Sequence, residues 1–355
     1  MDILSQLVAV SKKFPLMRTE DYFKLLFISE YLGGHFISDE QDSFNRLVKE
    51  AAQNGAPLPD ENLSDDFLNV SRVNLRPFVA AEKNIRTLNR LFVNSNLLNV
   101  GTKEGLQRKI DCFVDAVKQR KIDLPYLSVK RKAAEYAAKG YPLTSHSPAY
   151  KMNYYPSYRV VRKDFWFLFD VIDAINSLAE TRLSVTVGID GNSGAGKTFF
   201  ANALKEYFDC NLLSADDFFL PLNMRTPQRL GEVGGNIHYE RLRKTLLQMK
   251  DCNAFTYLRY DCHTDSFEEK RGESGRINIV EGCYSLHPYL REFYDLCVVI
   301  NVGKREQYRR IFDRDGQAVF ERYKNEWIPK EDAYLEKCCF DSKKTIFLNS
   351  DGYLF

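Results

Sequence analysis

Residues 191–198 read Gly191-Asn192-Ser193-Gly194-Ala195-Gly196-Lys197-Thr198, a complete G-x-x-x-x-G-K-[ST] phosphate-binding loop. Glycines in such a loop let backbone N–H groups turn inward around phosphate oxygens. A helix starting at the loop's end adds a favourable dipole. Lys197 is the residue to reach the β- and γ-phosphates of ATP, and Thr198 offers its hydroxyl to Mg²⁺. With Phe199, these residues form the expected cofactor-binding stretch. The flanks fit: Leu183–Ile189 is an apolar, β-branched run that reads as a buried strand, and 198–207 (TFFANALKEY) has helical spacing.

Two acidic segments follow. Ser214-Ala215-Asp216-Asp217-Phe218-Phe219 comes after a second candidate strand. A carboxylate at a strand's C-terminal end projects into the crevice where open α/β sheets bind ligands. Asp216 is therefore the candidate base, or orienting acceptor, for a substrate hydroxyl, with Asp217 the second choice. Helix N-capping is the competing role for either. The run Ile277–Val280 leads into Glu281-Gly282, where an acid beside a phosphate loop is placed to organise Mg²⁺. Thr198 and Glu281 are thus the expected metal-holding pair.

Arg305, Arg309, Arg310 and Arg314 follow the strand Leu296–Val302. Arg310 and Arg314, four apart, share a helix face and are candidates to close over ATP and neutralise charge during transfer. The alternative is a solvated helix whose arginines pair with Asp313 and Asp315. Tyr260-Asp261-Cys262-His263 and the segment containing His238 (GGNIHYERL) are candidate linings of an acceptor pocket, or ordinary turn residues.

The elements that must position these residues fall into two regions. From about Val161 onward, strands at 183–189, 210–214, 254–260, 277–280, 296–302 and 345–348 alternate with helical patterns, the signature of a parallel sheet covered on both faces. Before it the chain reads as mainly helical, with helices at 21–31, 42–53, 80–98 and 103–118. The Tyr-, Pro- and Ser-rich stretch 140–158 reads as a connector whose Tyr150, Tyr154, Tyr155 and Tyr158 are packing anchors or ligand-stacking rings. A short strand at 159–161 and an amphipathic helix at 164–179 lead into the phosphate-loop strand. The expectation is an α/β chain: a mainly α-helical domain over 1–160, then a three-layer P-loop kinase fold with a parallel sheet over 161–355.

Composition narrows the function class. Lys and Arg number 50 against 48 Asp and Glu, a net charge of +2 that provides no footprint for nucleic acid. No apolar stretch is long enough to span a membrane, and the opening residues do not read as a signal peptide. The eight cysteines, including adjacent Cys338 and Cys339, form no framework and read as reduced thiols of a cytoplasmic protein. Neither Cys283/His287 nor Cys262-His263 completes a four-ligand zinc pattern.

In their order, GIDGNSGAGKT, SADDFF, GGNIHYERL, YLRYDCHTDSF, INIVEGCYSLHP, the arginine segment and WIPKEDAYL resemble the uridine kinase family and the related phosphoribulokinase and pantothenate kinase group, over roughly 185–335. The Asp-Asp-Phe-Phe and the late Trp-Ile-Pro look most like its bacterial uridine-kinase-like subgroup. The resemblance implies that Asp216 faces the acceptor hydroxyl and that Glu281 helps hold Mg²⁺. It assigns Arg310 and Arg314 to a lid, and brings Tyr260, Asp261 and His263 to the acceptor. It departs from the nucleoside kinases at His238, which stands near the place of an acid that grips ribose hydroxyls, and where Tyr-Asp continues as Cys-His-Thr. The expected function is phosphoryl transfer from ATP to a hydroxyl of a small molecule, a nucleoside first. A non-nucleoside metabolite (sugar acid, pantothenate-like compound or sugar phosphate) and a non-catalytic ATP-binding regulatory module are the alternatives. A homo-oligomer is possible.

Overall fold

β-branched runs in the second half of the chain become the strands of a parallel sheet, and the first half builds a separate helical unit. The computed structural model describes residues 2–33, 39–251, 254–338 and 340–353. Contacts divide the chain into Met1–Phe169 and Asp170–Phe355.

In the first unit, helices Ile3–Lys13, Thr19–Tyr31, Lys103–Lys118 and Tyr126–Ala138 enclose a core of Leu7, Leu25, Leu26, Leu106, Ile110 and Phe113. The helix expected over 80–98 starts later, as Ile85–Leu97, and Ala80 instead ends a separate helix, Leu75–Ala80. Asn84 starts the later helix, its Oδ1 accepting from the amides of Arg86 and Thr87 as an N-cap. The stretch 140–158 is not all connector: Ser147 caps a short helix, Pro148–Tyr154, with Pro at its start. Tyr150 and Tyr154 pack against Phe14.

This unit also carries a three-stranded antiparallel sheet, β1 (Ser64–Phe67), β2 (Val70–Asn74) and β3 (Tyr158–Arg162). Sequence reading supplied only the segment of β3. Strand β1 (SDDF) holds two acids, and its partner β2 is buried along its whole length, so tertiary burial overrides weak propensity. Pairing of β3 with β2 carries that segment into the first unit. The expected helix 164–179 breaks at Leu168 into Lys163–Phe167 and Phe169–Thr181.

Asp21 is 0% exposed and pins two segments distant in sequence. It accepts from the Arg18 amide at 2.8 Å, the Ser147 amide at 2.9 Å, the Ser147 hydroxyl at 2.6 Å and His146 Nδ1 at 3.0 Å. Burial alone raises a carboxyl, but these donors outweigh it and hold Asp21 below its ordinary 3.8. Burial likewise lowers His146 and keeps it neutral. Both groups bind fewer protons folded than unfolded, so their stabilisation is complete near neutrality and is lost as pH falls, first through the histidine range and then through that of Asp21. Asp21→Ala, which leaves those donors buried without an acceptor, should lower the unfolding free energy by about 3 kcal/mol. Denaturant unfolding of the full chain followed by circular dichroism measures it; a change under about 0.5 kcal/mol, the level of an ordinary surface substitution, would refute the pinning role.

In the second unit, β4 (Val185–Gly191), β5 (Asn211–Ser214), β8 (Ile277–Glu281), β9 (Leu296–Asn301) and β10 (Thr345–Asn349) form an all-parallel sheet in the order β10-β9-β4-β8-β5. Counted in chain order among themselves, these strands lie 2-3-1-4-5. The connection from β4 goes to one side and later strands fill the other, which opens a crevice at the C-terminal end of β4. Strands β8 and β9 are buried nearly end to end, as a sheet covered on both faces requires. The intervening helices include Lys197–Phe208, Tyr239–Asp251, Lys304–Arg322 and Ile328–Lys337.

One expected member of the parallel sheet is elsewhere. β6 (Ala254–Asp261) pairs antiparallel with β7 (Ser266–Glu273) in a two-stranded hairpin of its own. Its two faces are largely exposed, and β7 carries mostly charged residues, so neither strand has the continuous apolar character of a buried parallel strand. No helix among the described residues is long and apolar enough to cross a membrane.

Candidate active site

Register brings the chemistry level. Ile189 of β4 lies opposite Glu281 of β8, and Glu281 lies opposite Ser214 of β5. The phosphate loop, Glu281-Gly282 and Asp216 therefore leave the sheet at the same edge. Gly191 has φ +137°, and a Cβ there would lie 1.9 Å from the Ile300 carbonyl oxygen, so only glycine lets β4 turn into the loop against β9.

Lys197, 8% exposed, folds back over the loop and donates to the carbonyls of Gly191 and Asn192, each at 3.0 Å. Burial disfavours its charge, but Cys283, Glu331 and Asp190 together outweigh this and hold its pKa above the ordinary lysine value. The helix Lys197–Phe208 begins at the loop's end, so its first amides point into the cradle without intrahelical acceptors. Phe199, 41% exposed, lies on this helix with its ring edge-on to Phe200.

At the foot of the loop the Thr198 hydroxyl donates to Glu281 Oε2 at 3.0 Å, and the Ser214 hydroxyl to Oε1 at 3.1 Å. Glu281 is buried, and burial, then the nearby Asp216, raise its pKa. A hydroxyl and a crowded carboxylate, all hard oxygen donors beside a phosphate cradle, suit Mg²⁺, which takes one or two carboxylates plus substrate phosphates. Gly282, φ +137°, brings the chain past Asp216: a Cβ there would come within 2.9 Å of Ala215 Cβ and 3.3 Å of Asp216 Oδ1.

The two adjacent aspartates have different partners. Asp217 accepts from the Tyr257 hydroxyl at 2.9 Å and pairs with Arg259 Nε at 3.2 Å, both on β6. Asp216 has an exposed side chain in the crevice. The protein around it raises its pKa by displacing water, Asp217 and Glu331 add to this, and Lys197 and Arg314 oppose it. The N-cap of this turn is Ser214, not either aspartate.

The two arginines of the lid expectation do not converge. Arg310 is part-buried; it pairs with Glu306 and donates to the carbonyls of Gly194 at 3.0 Å, Ser350 at 2.6 Å and Tyr353 at 2.9 Å. It braces the phosphate loop from behind. Arg314 is exposed, pairs with Asp315 at 2.7 Å, and its charge reaches Asp216. Arg309 pairs with Glu306 and Asp313 at the surface.

On the acceptor side, the His238 amide donates to the Phe218 carbonyl at 2.7 Å, which sets His238 beside the Asp216–Asp217 turn. Its Nδ1 lies 3.1 Å from Glu240. Tyr260, Asp261 and His263 are held within the hairpin turn: the Tyr260 hydroxyl bonds Asp265, and Asp261 accepts the His263 amide. The residues of β6 that touch the Asp217 turn are Tyr257 and Arg259. Alternate strand residues point to opposite faces, so these two share a face that Tyr260 does not.

Three further residues belong to the site. Asp190, 1% exposed, accepts from the amides of Gly191, Tyr284 and Leu286 and from the Tyr334 hydroxyl at 2.7 Å. Glu331 accepts the Ser193 amide at 2.9 Å and also bonds the Ser193 hydroxyl. Gln307 donates to the Ser193 carbonyl at 2.9 Å. Glu331 and Tyr334 are three apart, which puts them on one helix face; the spacing was readable, but not what that face meets. Cys283 lies 3.2 Å from Lys197 Nζ rather than beside His287, whose Nε2 faces the Val233 carbonyl. The described cysteines are free, while Cys252 and Cys339 lie outside the described residues.

No family model matches the chain. Uridine-cytidine kinase C of Dictyostelium discoideum is 25% identical over 166 residues, 45% of this chain and 37% of that protein, so the match spans little more than a third of the relative. Among solved structures, a possible uridine kinase from Bacillus stearothermophilus is 22% identical, covering 47% of this chain and 93% of that one, with a TM-score of 0.35. A D-glycerate 3-kinase from Cryptococcus neoformans is 12% identical, covering 51% and 93%, with a TM-score of 0.37. With a phosphate loop at the end of the central strand of a 2-3-1-4-5 parallel sheet, the chain is similar to the uridine kinase-like P-loop kinases.

Proposed function

We propose that this protein transfers the γ-phosphoryl group of ATP to a hydroxyl of a small molecule. The observation that carries the reading is Asp216: an exposed carboxylate in the crevice, at the same sheet edge as Lys197, Thr198 and Glu281. In the transfer, Asp216 takes the hydroxyl proton, the acceptor oxygen bonds to the γ-phosphorus, and the bond to the bridging oxygen breaks to leave ADP. Lys197 and the loop amides hold the phosphates, and Arg314 adds positive charge where negative charge grows. Arg310, Gln307 and Glu331 fix the loop's backbone from outside. Thr198 and Glu281 would hold Mg²⁺, which when bound neutralises phosphate charge.

A nucleoside is the first acceptor to test, because the curated relative is named for uridine and cytidine. His238, Tyr260, Asp261 and His263 belong to the acceptor side in this reading, the hairpin residues as the frame that positions Tyr257 and Arg259. Incubation with Mg²⁺, ATP and a pooled library of nucleosides, hydroxy acids, sugars, sugar phosphates and vitamin precursors, read by mass spectrometry, should reveal one compound class gaining a phosphate. ATP bound but unconsumed with every member would overturn the transferase reading in favour of a regulatory module.

A further inference from the structure

We propose that the hydroxyl acceptor is itself an anion, bearing a carboxylate or phosphate group that Arg241 binds; this rests on the kinase reading above. Arg241 sits in the helix Tyr239–Asp251 and reaches under the turn that carries Asp216. Its Nη2 donates to the carbonyls of Asp217 at 3.1 Å and Phe219 at 3.3 Å. Its guanidinium carbon lies 5.3 Å from the Phe218 ring and 5.1 Å from the Phe267 ring of β7. Its Nε and Nη1 are buried with no hydrogen-bond partner. Burial brings its pKa down to about 10, which leaves it charged at neutral pH.

Acids around it already have partners. Asp217 holds Tyr257 and Arg259. Glu240 holds Arg229 and His238. Glu232 holds Tyr239 and Arg229. Among the described residues Arg241 forms no ion pair. Arg225, at the other end of the same segment, donates to the Leu220 carbonyl and lies 3.7 Å from Cys262 Sγ, also without a carboxylate. Arg241 is partly buried, and the charge of Asp217, already shared with Tyr257 and Arg259, offsets only part of the cost of burying the guanidinium; its two buried, unpartnered donors are explained by a ligand that the protein awaits. The neighbouring residue Asp216 needs a hydroxyl. An oxyanion on Nε or Nη1, in the same molecule as that hydroxyl, satisfies both requirements, whereas a neutral nucleoside leaves the guanidinium only partly compensated.

Access is through the hairpin. Phe267 covers one side of the guanidinium but is 48% exposed, and β7 has few buried residues. A strand with so little burial opens at low cost, and its displacement uncovers the orphaned nitrogens. Carboxylate and phosphate both meet the requirement, so the two are separated by assay.

The test compares steady-state transfer to D-glycerate, ribose 5-phosphate and uridine, and to any product of the pooled library, in wild type, Arg241→Met and Arg241→Lys. The expected result is turnover of an anionic acceptor. Its KM should rise about ten- to hundredfold in R241M, the loss of a charge-assisted contact. The ATP affinity should stay near wild type, and the rise in KM should exceed any fall in kcat that follows from loss of the bonds to the Asp217 and Phe219 carbonyls. R241K should fall between, because the ammonium keeps the charge but not the guanidinium's directed donors; it also serves if R241M does not fold. Glycerate-type and phosphate-type products assign the anion. Turnover confined to neutral acceptors, or an anionic acceptor whose KM ignores both variants, would overturn the proposal and leave the kinase reading intact. No phosphorylated product from any acceptor would overturn the kinase reading itself.

Discussion

Lys197→Ala is expected to reduce phosphoryl transfer by about 10³-fold and to weaken ATP binding as well. Removing one preorganised charge-stabilising donor from a transfer site commonly lowers kcat by about 10²–10³, and Lys197 does more than this. In the nucleotide-free loop its ammonium crosslinks the carbonyls of Gly191 and Asn192. It also compensates the buried acids Asp190 and Glu331, which lie on the loop's other side. Alanine removes the charge that meets the phosphates and leaves those carboxylates facing each other's field in a dry site. Arginine should not restore activity, since a planar guanidinium does not fit a slot shaped around a point donor. Isothermal titration with ATP and a coupled ADP-release assay separate binding from transfer, and a melting curve monitors folding. Transfer within tenfold of wild type would exclude Lys197 from the reaction.

Asp216→Asn should lower kcat by about 10²–10⁴ while leaving ATP affinity within a few-fold. General base contributions fall in that range. Asparagine keeps the shape and cannot accept the proton. Among the described residues no hydrogen bond ties the Asp216 carboxylate to a neighbour, so little folding stability depends on it; the adjacent Asp217, tied to Tyr257 and Arg259, should show the opposite pattern when changed, losing stability and hairpin placement first. The wild-type pH profile supplies an independent check. Crowding by protein raises the Asp216 pKa above 3.8, so the base form disappears at a higher pH than for an ordinary aspartate. The acid limb of kcat/KM should therefore lie above the usual aspartate range, and the residual activity of D216N should lose that limb. Equal kcat in D216N and wild type would remove the residue from its role.

The phosphate loop was legible because its chemistry is local. Eight consecutive residues fix the turn, the donors and the start of the helix. The parallel sheet was legible because strands buried on both faces need uninterrupted apolar residues. Asp216 and Glu281 could be nominated from their places at strand ends. Asp216 was the first choice over Asp217, but the contacts that set the two apart, those of Asp217 with Tyr257 and Arg259, lie some 40 residues away and were not readable.

The hairpin shows the limit from the other side. Residues 254–261 have strand character in any environment, and nothing in that run says whether it pairs parallel inside a sheet or antiparallel at the surface; the charged partner 266–273 decides it. Arg310 and Arg314, alike in sequence, differ in fate because one turns toward the Gly194 carbonyl and the other toward solvent. Glu331 and Asp190 lie in quoted segments but were given no role from sequence, yet with Cys283 they set the charge balance on Lys197. The sequence by itself determined the local geometry of phosphate binding, whose contacts span a few residues. Tertiary structure alone decided which charges are compensated around it, since ion pairing and burial depend on distances between segments that sequence spacing does not encode.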